Sequence, residues 1–425
     1  MTEEYAMRIP IQIALAAALA GMSTLAAPFG VITCALSTTS DYRIVAINVG
    51  DGSMQVLATS PTRFAGMDGA PFCGNPCVVA RRDAAGAIAR LYRDGSFSNL
   101  VAQAASGTNE DPCVSVDESL IAYVQRNASR SNEDILHVRN CTTMVDIPVY
   151  TTKLWGVDIV HPRFSPDGTS LMFAMDDYYW GSRDIYVMPL WGGVPQELAA
   201  LPDNAMHPSY APNGRKIACV ANYAGTFSPY VANADGSSPH RIDLHGEFAF
   251  FPCFSPCSRY LAVASDNGIN VIDLSNDTVV APFPLDHELY SGLTWTLGAQ
   301  LSGALAKKAA VKEKSISVTA LGFLPPALPQ FGALWLDSVF IPFDNATSWT
   351  DKKGKKFIYK DQTLKYQVTC SLKSQSLAAS LKKLNLVIGT DYRTGMPIRV
   401  TINAGAQTFT QSILLDKHGK YKQPK

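Results

Sequence analysis

Two histidines, His161 and His207, each stand directly before a proline at the start of similar phrases, "HPRFSPDGTSLMF" and "HPSYAPNGRKIACVA". Imidazole nitrogens are common protein ligands of divalent metals, and two of them with one carboxylate make a three-donor set for such an ion. These residue types therefore predict a divalent metal held by His161 and His207 as one chemistry open to the chain.

Acidic and aromatic residues follow both phrases at short distance. The segments "AMDDYYWGSR" and "ANYAGTFSPY" supply six further candidates for a ligand-binding cleft: Asp176, Asp177, Tyr178, Tyr179, Trp180 and Tyr223. Aromatic rings offer flat faces to a ligand such as a sugar ring, and a few polar groups fix its orientation. The alternative interpretation is structural: the histidines bond neighbouring loops and the aromatic rings cover contacts between repeats.

The two phrases belong to a longer repeat. Related stretches begin at Ala70, Asp111, Phe251 and, more weakly, Tyr290. Steps of about 40 to 50 residues are typical of repeat architectures. Each stretch predicts a strand, a tight turn and a second strand, because proline presets φ, aspartate bonds its own backbone and glycine accepts positive φ in turns such as "SPDG".

A second predicted hairpin, such as "DIYVMPLWGGVPQEL", lies between consecutive phrases. The region opens with an unpaired second hairpin near Tyr42 and closes with an unpaired first hairpin near Tyr290. Joining these two hairpins completes an all-β, six-bladed β-propeller over residues 42–305, closed by its own amino- and carboxyl-terminal strands. His161 and His207 then occupy one position in adjacent blades, on the loop-rich face around the channel.

The phrase "HPRFSPDGTSLMF…DIYVMPLWGG" resembles the WD-repeat-like unit of the TolB-like β-propellers, and the resemblance covers residues 42–305. It implies a protein-binding component of the cell envelope. The histidine pair also partly resembles the site of some oligogalacturonate lyases, which are propellers with a similar repeat and a histidine-bound metal. No third histidine stands at this register, where we place Ala70, Asp111, Phe251 and a residue near Leu289.

The first 27 residues predict a signal peptide, because an apolar run from Ile9 ends in small residues at Ala26 and Ala27. The start of translation, Met1 or Met7, is left open, and a buried amino-terminal helix is the alternative. Residues 28–41 are then a lead-in to the propeller. We expect an exported protein, periplasmic, extracellular or associated with the cell surface, with no transmembrane segment in the mature chain.

Net charge divides the chain into two regions. Residues 306–425 contain 19 Lys and Arg against 7 Asp and Glu, so they carry +12 within a chain of zero net charge. We interpret 306–315 as a linker and 316–425 as a basic β-sandwich-like domain. An acidic envelope polymer suits this charge better than nucleic acid, for which no reading motif is present. The alternatives are a solvated lysine-rich surface and docking on the acidic propeller.

The chain has nine cysteines, an odd number. Cys73, Cys113 and Cys253 share one position in the repeat, and a disulfide between Cys73 and Cys113 on adjacent inner strands is the best candidate pair. The alternative is that these cysteines are small buried residues in tightly packed strands.

Motif searches favour binding over catalysis. The sequence has no G-x-S-x-G elbow, P-loop, H-E-x-x-H helix or dinucleotide-binding glycine motif. We therefore expect an exported, non-enzymatic binding or scaffold protein whose propeller face takes an envelope protein or a glycan. Two alternatives stay open: a metal-assisted, lyase-like enzyme acting on polysaccharide through His161 and His207, and a purely structural envelope protein.

Overall fold

In the computed structural model, the phrases that begin at His161, His207 and Phe251 each fold into two antiparallel strands joined by the expected tight turn. Gly168, with φ of 70°, donates its backbone N–H to the carbonyl of Ser165 at 2.9 Å. The Ser165 hydroxyl donates to Asp167 Oδ1 at 2.6 Å. The turn chemistry predicted from the sequence is therefore confirmed here.

The structure describes residues 30–296 apart from short gaps, and beyond residue 304 it describes only the strands. The gaps are 72–76, 82–85, 93, 103, 105–106, 117, 127–133, 153–156, 178–181, 213, 224, 257 and 286. The elements found in these described residues are all strands. No helix among them has the length and apolar character needed to cross a membrane.

Both ends of the propeller region contribute to one sheet, which we call the clasp blade. Its strands are β1 (Val31–Ser37), β2 (Tyr42–Asn48), β3 (Met54–Ser60) and, from the far end, β24 (Glu288–Thr296). Their order in the sheet is β24, β1, β2, β3.

Five more four-stranded sheets follow in chain order among the described residues. Blade 1 contains β4 (Phe64–Asp68), β5 (Cys77–Arg81), β6 (Ala87–Leu91) and β7 (Phe97–Val101). Blade 2 contains β8 (Thr108–Val114), β9 (Leu120–Arg126), β10 (Ile135–Asn140) and β11 (Asp146–Thr151). Blade 3 contains β12 (Val157–Phe164), β13 (Ser170–Asp177), β14 (Ser182–Pro189) and β15 (Gln196–Glu197). Blades 4 and 5 contain β16 (Ala205–Tyr210), β17 (Lys216–Tyr223), β18 (Thr226–Asn233) and β19 (His240–Arg241), then β20 (Ala249–Phe254), β21 (Tyr260–Ser265), β22 (Gly268–Asp273) and β23 (Thr278–Pro284).

The first strand of each sheet lies on the central channel. These inner strands contact one another in a closed ring, β24, β4, β8, β12, β16, β20 and back to β24. Apolar side chains of neighbouring sheets pack between them, as where Trp295 of the clasp blade lies in one core cluster with Tyr260 and Val271 of blade 5. The all-β propeller predicted from the sequence is confirmed.

The clasp differs in detail from the prediction. Three strands come from the amino end and one from the carboxyl end, whereas the sequence predicted two from each. The difference is β1, which lies in the segment 28–41 that we interpreted as a lead-in. Its sequence "VITCALS" is buried along five of seven positions, because it runs between β24 and β2 in the sheet.

Residues 305–422 contain two antiparallel sheets among the described strands. The seven-stranded sheet runs β29 (Trp349–Lys352), β30 (Lys356–Asp361), β31 (Tyr366–Ser371), β32 (Ser376–Lys382), β26 (Ser315–Leu321), β25 (Leu305–Lys312), β35 (Lys420–Lys422). The four-stranded sheet runs β28 (Val339–Asp344), β27 (Phe331–Leu336), β33 (Pro397–Ala404), β34 (Gln407–Leu414). The predicted linker at 306–315 is wrong, because β25 pairs with β26 and β35 there. The sandwich arrangement stays a prediction.

Candidate functional site at the channel mouth

One backbone feature recurs on all six inner strands. A bulge on each strand holds a residue with positive φ, and these residues are Gly66, Asp111, His161, His207, Phe251 and Gly292. Positive φ is uncommon and strained for residues other than glycine. The register position of the histidines is thus Gly66 in blade 1 and Gly292 in the clasp blade. The prediction that Ala70 and a residue near Leu289 occupy this position is wrong. Gly66 and Gly292 occupy it, and neither carries the histidine or aromatic residue followed by proline that marks the repeat.

The bulge brings three of these side chains into contact. The rings of His161 and His207 meet edge to face with centroids 4.4 Å apart, and Phe251 lies 4.2 Å from His207. The Nδ1 atoms of both histidines are buried and have no hydrogen-bond partner among the described residues. The predicted proximity of the two histidines is therefore observed, with Phe251 as a third member.

Burial holds the pKa of both histidines far below its ordinary value. For His161 the pKa falls to about 3, because burial and the nearby cations Arg163, Arg126 and Arg183 all disfavour the imidazolium. For His207 burial acts first, then His161 and two of the same arginines. Both imidazoles are neutral at neutral pH.

A metal at this pair lacks a complete ligand set in the described part of the chain. No group of three or more His, Cys, Asp and Glu side chains in those residues has a metal-binding arrangement. The two rings pack against each other edge to face, and the next ring at this register belongs to Phe251.

Arg126, at the end of β9, organises a dense ionic cluster beside the histidines. Its guanidinium lies 2.8 Å from Glu110, 2.9 Å from Asp134, 3.4 Å from Asp158 and 3.8 Å from Asp111. These five charged groups sum to −3. Burial raises the pKa of Asp134 to about 6 against the attraction of Arg126.

A second ion pair joins residues of two inner strands. Arg163 Nε is 3.8 Å from Asp68 Oδ1, although the two residues come from blades 3 and 1. Asp68 Oδ2 also accepts the backbone N–H of Val114 at 3.1 Å. Asp68 follows the bulge residue Gly66 by two positions, and Cys113 follows the bulge residue Asp111 by two positions. Asp68 therefore has the position in blade 1 that Cys113 has in blade 2.

This register bears on the predicted disulfide. The repeat alignment places Cys73 at that position in blade 1, but Cys73 lies outside the described residues and Asp68 occupies the position in the structure. Cys113 is buried, and its pairing with Cys73 stays a prediction because Cys73 lies outside the described residues. Burial raises the pKa of the Cys113 thiol, which favours the interpretation as a small buried residue.

A cavity of about 170 Å³ lies at the bulges of the inner strands. We call this place the channel mouth and define it by six lining residues: Arg63, Glu110, Asp111, His161, Phe251 and Tyr290. Arg63 stacks its guanidinium over Tyr290, with 5.2 Å to the ring centroid. Arg163 of blade 3 also lines this cavity, so the mouth has carboxylates from blade 2, guanidinium groups from blades 1 and 3, and aromatic rings from blade 5 and the clasp blade.

Aromatic rings continue from the mouth onto the surface of blades 4 and 5. Phe250 lies 6.4 Å from Phe251, 6.4 Å from Phe227 and 6.5 Å from Phe248 between ring centroids. Phe248 is 38% exposed. We call Phe227, Phe248, Phe250 and Phe251 the aromatic surface.

Three of the remaining predicted site residues, Asp176, Asp177 and Tyr223, lie at strand ends. Asp176 pairs in register with Asp158, and Asp177 pairs with Val157, so the backbone brings both next to the Arg126 cluster. Tyr223 ends β17. Tyr178, Tyr179 and Trp180 lie outside the described residues.

Sequence reasoning missed the charged and aromatic core of the site. Arg126, Asp134 and Arg163 carry no motif, and only the fold brings their partners from other blades. Phe251 was noted merely as a departure from histidine at its register. The proline after it, Pro252, was the signal that this residue shares the bulge of the histidines.

Comparisons with known proteins agree with this geometry. Residues 87–281 match the family model described as the TolB beta propeller domain. Over these residues the propeller is similar to the TolB propeller family. It shares its fold with the crystal structure of TolB from Acinetobacter baumannii, at 16% identity over 66% of this chain and 70% of that chain, with a TM-score of 0.52.

Two further solved structures are similar to the TolB-like propeller. A putative TolB from Agrobacterium tumefaciens is 19% identical over 60% of this chain and 88% of its own, with a TM-score of 0.46. A nidogen/laminin complex contains a chain 12% identical over 63% of this chain and 98% of that chain, with a TM-score of 0.49.

The close approach of blades 1 and 2 leads to a first prediction. A Cβ atom on Gly66 would lie 2.7 Å from the Asp111 Cα, and Gly66 has φ of 98°. We expect Gly66→Ala to lower the free energy of unfolding by about 3 kcal/mol, measured by urea denaturation. Gly168→Ala is the control, because its φ is also positive but nothing lies within 4 Å of the added Cβ. Its cost should be about 1 kcal/mol, and equal costs would contradict the close approach.

Proposed function

We propose that this protein is a non-enzymatic binding protein whose TolB-like propeller holds a macromolecular ligand, protein or glycan, at the channel mouth. The observation that carries the proposal is the small volume of the cavity at the mouth. Its cavity of about 170 Å³ is smaller than the roughly 300 to 1,000 Å³ that encloses a small ligand. A cavity of this size accepts one protruding group of a larger ligand, while the surrounding blades contact the rest.

The state of the histidines supports binding over acid–base catalysis. A general acid or base works best with a pKa near the working pH. The pKa of His161 is held at about 3, so its neutral imidazole is a weak base and has no proton to give as an imidazolium at neutral pH. The buried Nδ1 atom of His161, which lines the cavity, has no partner among the described residues and suits a hydrogen bond to a ligand group.

We further propose that the protein acts after export, in the periplasm, outside the cell or at the cell surface. The apolar run and small residues of positions 1–27 support this location. The lysine-rich region from residue 306 then suits attachment to an acidic envelope polymer, and such attachment would weaken with added salt.

A photocrosslinking experiment tests the proposed face. A photoreactive phenylalanine replaces Phe248, the exposed residue of the aromatic surface beside the mouth, in one variant, and Trp191 in another. Trp191 is 62% exposed and follows β14 at the opposite end of the sheet, so it is the matched control. With envelope extract from the source organism, we expect an adduct from position 248 alone, and the partner identified by mass spectrometry should form it again when purified. Adducts from both positions, or from position 191 alone, would contradict the proposal.

A further inference from the structure

Three polar groups on the wall of the channel-mouth cavity have hydrogen-bonding capacity that the described residues do not use. They belong to Arg63, Arg163 and His161, which all line this cavity. Arg63 directly precedes β4 of blade 1, whereas His161 and Arg163 lie on β12 of blade 3. Positively charged donors and an unpaired imidazole nitrogen on one wall suit an anion that accepts hydrogen bonds.

The two guanidinium groups are weakly engaged. Arg63 lies over the ring of Tyr290, at 5.2 Å from its centroid, and no carboxylate of the described residues lies within ion-pair distance of it. Arg163 makes one hydrogen bond to these residues, from Nη1 to the Pro162 carbonyl at 2.9 Å. Its distance of 3.8 Å to Asp68 is too long for a hydrogen bond. Arg163 therefore keeps N–H donors for a ligand.

The carboxylates that line the same cavity are engaged with other groups of the protein. Glu110 accepts from Arg126 Nε at 2.8 Å and from the Thr108 hydroxyl at 3.0 Å. Asp111 Oδ2 accepts the backbone N–H of His161 at 3.3 Å and lies 3.8 Å from the Arg126 guanidinium. Arg126 therefore offsets part of their negative charge beside the cavity.

The charges around His161 favour an anion beside its ring. Its buried Nδ1 has no partner in the described part of the chain. After burial, the influences that lower its pKa are the positive charges of Arg163, Arg126 and Arg183. Charges that disfavour an imidazolium at this position stabilise a neighbouring anion. A neutral imidazole with its proton on Nδ1 donates a hydrogen bond to that anion.

The volume and the aromatic wall of the cavity define the rest of the ligand. A cavity of about 150 Å³ accepts a molecule of benzene, so the cavity of about 170 Å³ at the mouth accepts a body of one ring. Phe251 and Tyr290 supply aromatic surface to its wall. The bulge residues Gly66 and Gly292 also line it and add no side chain from blade 1 and the clasp blade. The cavity therefore suits a small molecule with one ring and one anionic group.

We propose that the channel mouth binds a small free carboxylate whose body is a single ring or an apolar group of that size. Its carboxylate accepts hydrogen bonds from Arg163 and His161 Nδ1 beside the charge of Arg63, and its body packs on Phe251 and Tyr290. This small-molecule site goes beyond the proposed function and does not depend on a macromolecular ligand. Inorganic phosphate offers negative charge without an apolar body, so we expect it to bind more weakly.

Isothermal titration calorimetry of the full-length chain at low ionic strength tests the inference. Benzoate is the probe, and benzamide and benzylamine are its neutral and cationic counterparts of similar size. We expect benzoate to bind with a Kd of about 1 mM or below, and at least about tenfold more tightly than either counterpart.

Two arginine variants locate the site. Arg63→Gln should weaken benzoate binding about fivefold, and Arg63 is exposed, so this substitution leaves the core intact. Arg163→Lys keeps a positive charge beside Asp68 but loses the planar guanidinium, and it should weaken binding about tenfold. Arg241→Gln, on outer strand β19, is the matched control and should leave binding unchanged.

The outcomes separate this inference from the proposed function. No binding of benzoate, equal binding of the three probes, or tighter binding of benzylamine or inorganic phosphate than of benzoate overturns the inference. Benzoate binding that is unchanged in both arginine variants overturns it as well, since the ligand then binds elsewhere. Photocrosslinking at position 248 is independent of these results. A partner that crosslinks there and is lost in Arg63→Gln, without benzoate binding to the unaltered chain, shows that the macromolecule supplies the anionic group; this overturns the inference and leaves the proposed function standing.

Discussion

Replacing Arg126 by methionine should lower the free energy of unfolding by about 3 kcal/mol, because it removes the guanidinium that four carboxylates share. The Arg126 side chain is 19% exposed and Asp134 is 6% exposed, so water replaces little of the lost attraction. Arg126 also donates to the Ile159 carbonyl at 2.8 Å and so ties blade 2 to blade 3. Urea denaturation at pH 7 measures the effect.

A matched substitution at a surface ion pair is the control. Arg43 lies 2.9 Å from Asp41, but its side chain is 37% exposed. Arg43→Met should cost less than about 1 kcal/mol. Neutralising Glu110 and Asp158 in the Arg126→Met background should restore part of the loss, since it removes repulsion. Equal costs for the two arginines would show that the Arg126 cluster does not hold blades 2 and 3 together.

The protein should lose stability below about pH 6.5 through its buried histidine pair. The pKa of His161 is lowered to about 3 and that of His207 is also lowered, so the unfolded chain binds these protons at a higher pH than the folded chain does. Stability then falls as the pH drops from about 6.5 toward 3, by up to about 1.4 kcal/mol per pH unit for each histidine. Asp134 opposes this trend, because its raised pKa makes the folded state gain stability as the pH falls from 6 to 4.

Denaturation midpoints at pH 7, 6 and 5 measure this dependence. The double variant His161→Asn, His207→Asn should remove most of the slope, and asparagine tolerates the positive φ at both positions. His240→Asn is the control, because His240 has a side chain 61% exposed. An unchanged slope in the double variant would show that the pair does not govern acid sensitivity.

The sequence was most informative where local chemistry decides structure. The Pro-Asp-Gly turn at 166–168 forms through φ preferences and side-chain hydrogen bonds within four residues, so the sequence alone predicts it. The repeat also predicted the inner strands of blades 3, 4 and 5, and with them the contact between His161 and His207. The two histidines occupy the same position in adjacent blades, and this was enough to predict that they meet.

The sequence was least informative where glycine replaced the motif. Gly66 and Gly292 keep the bulge because glycine accepts positive φ, yet they erase the His-Pro signature and displaced the predicted register of blade 1 and the clasp. Val31–Ser37 lies in the segment that we interpret from the sequence as a lead-in. A strand buried on both faces lacks the apolar and polar alternation that marks a half-exposed strand, so this pattern does not reveal it.

By itself, the sequence determined the all-β repeat, the turns and the pairing of two histidines, because each depends on short-range conformational preferences repeated along the chain. Only the tertiary structure decided what surrounds those histidines. Arg126 with Asp158, Asp68 with Arg163, and His207 with Phe251 come from different blades and meet because the ring closes. Ring closure depends on the packing of whole sheets, and no spacing within one repeat encodes which side chains it brings to the channel mouth.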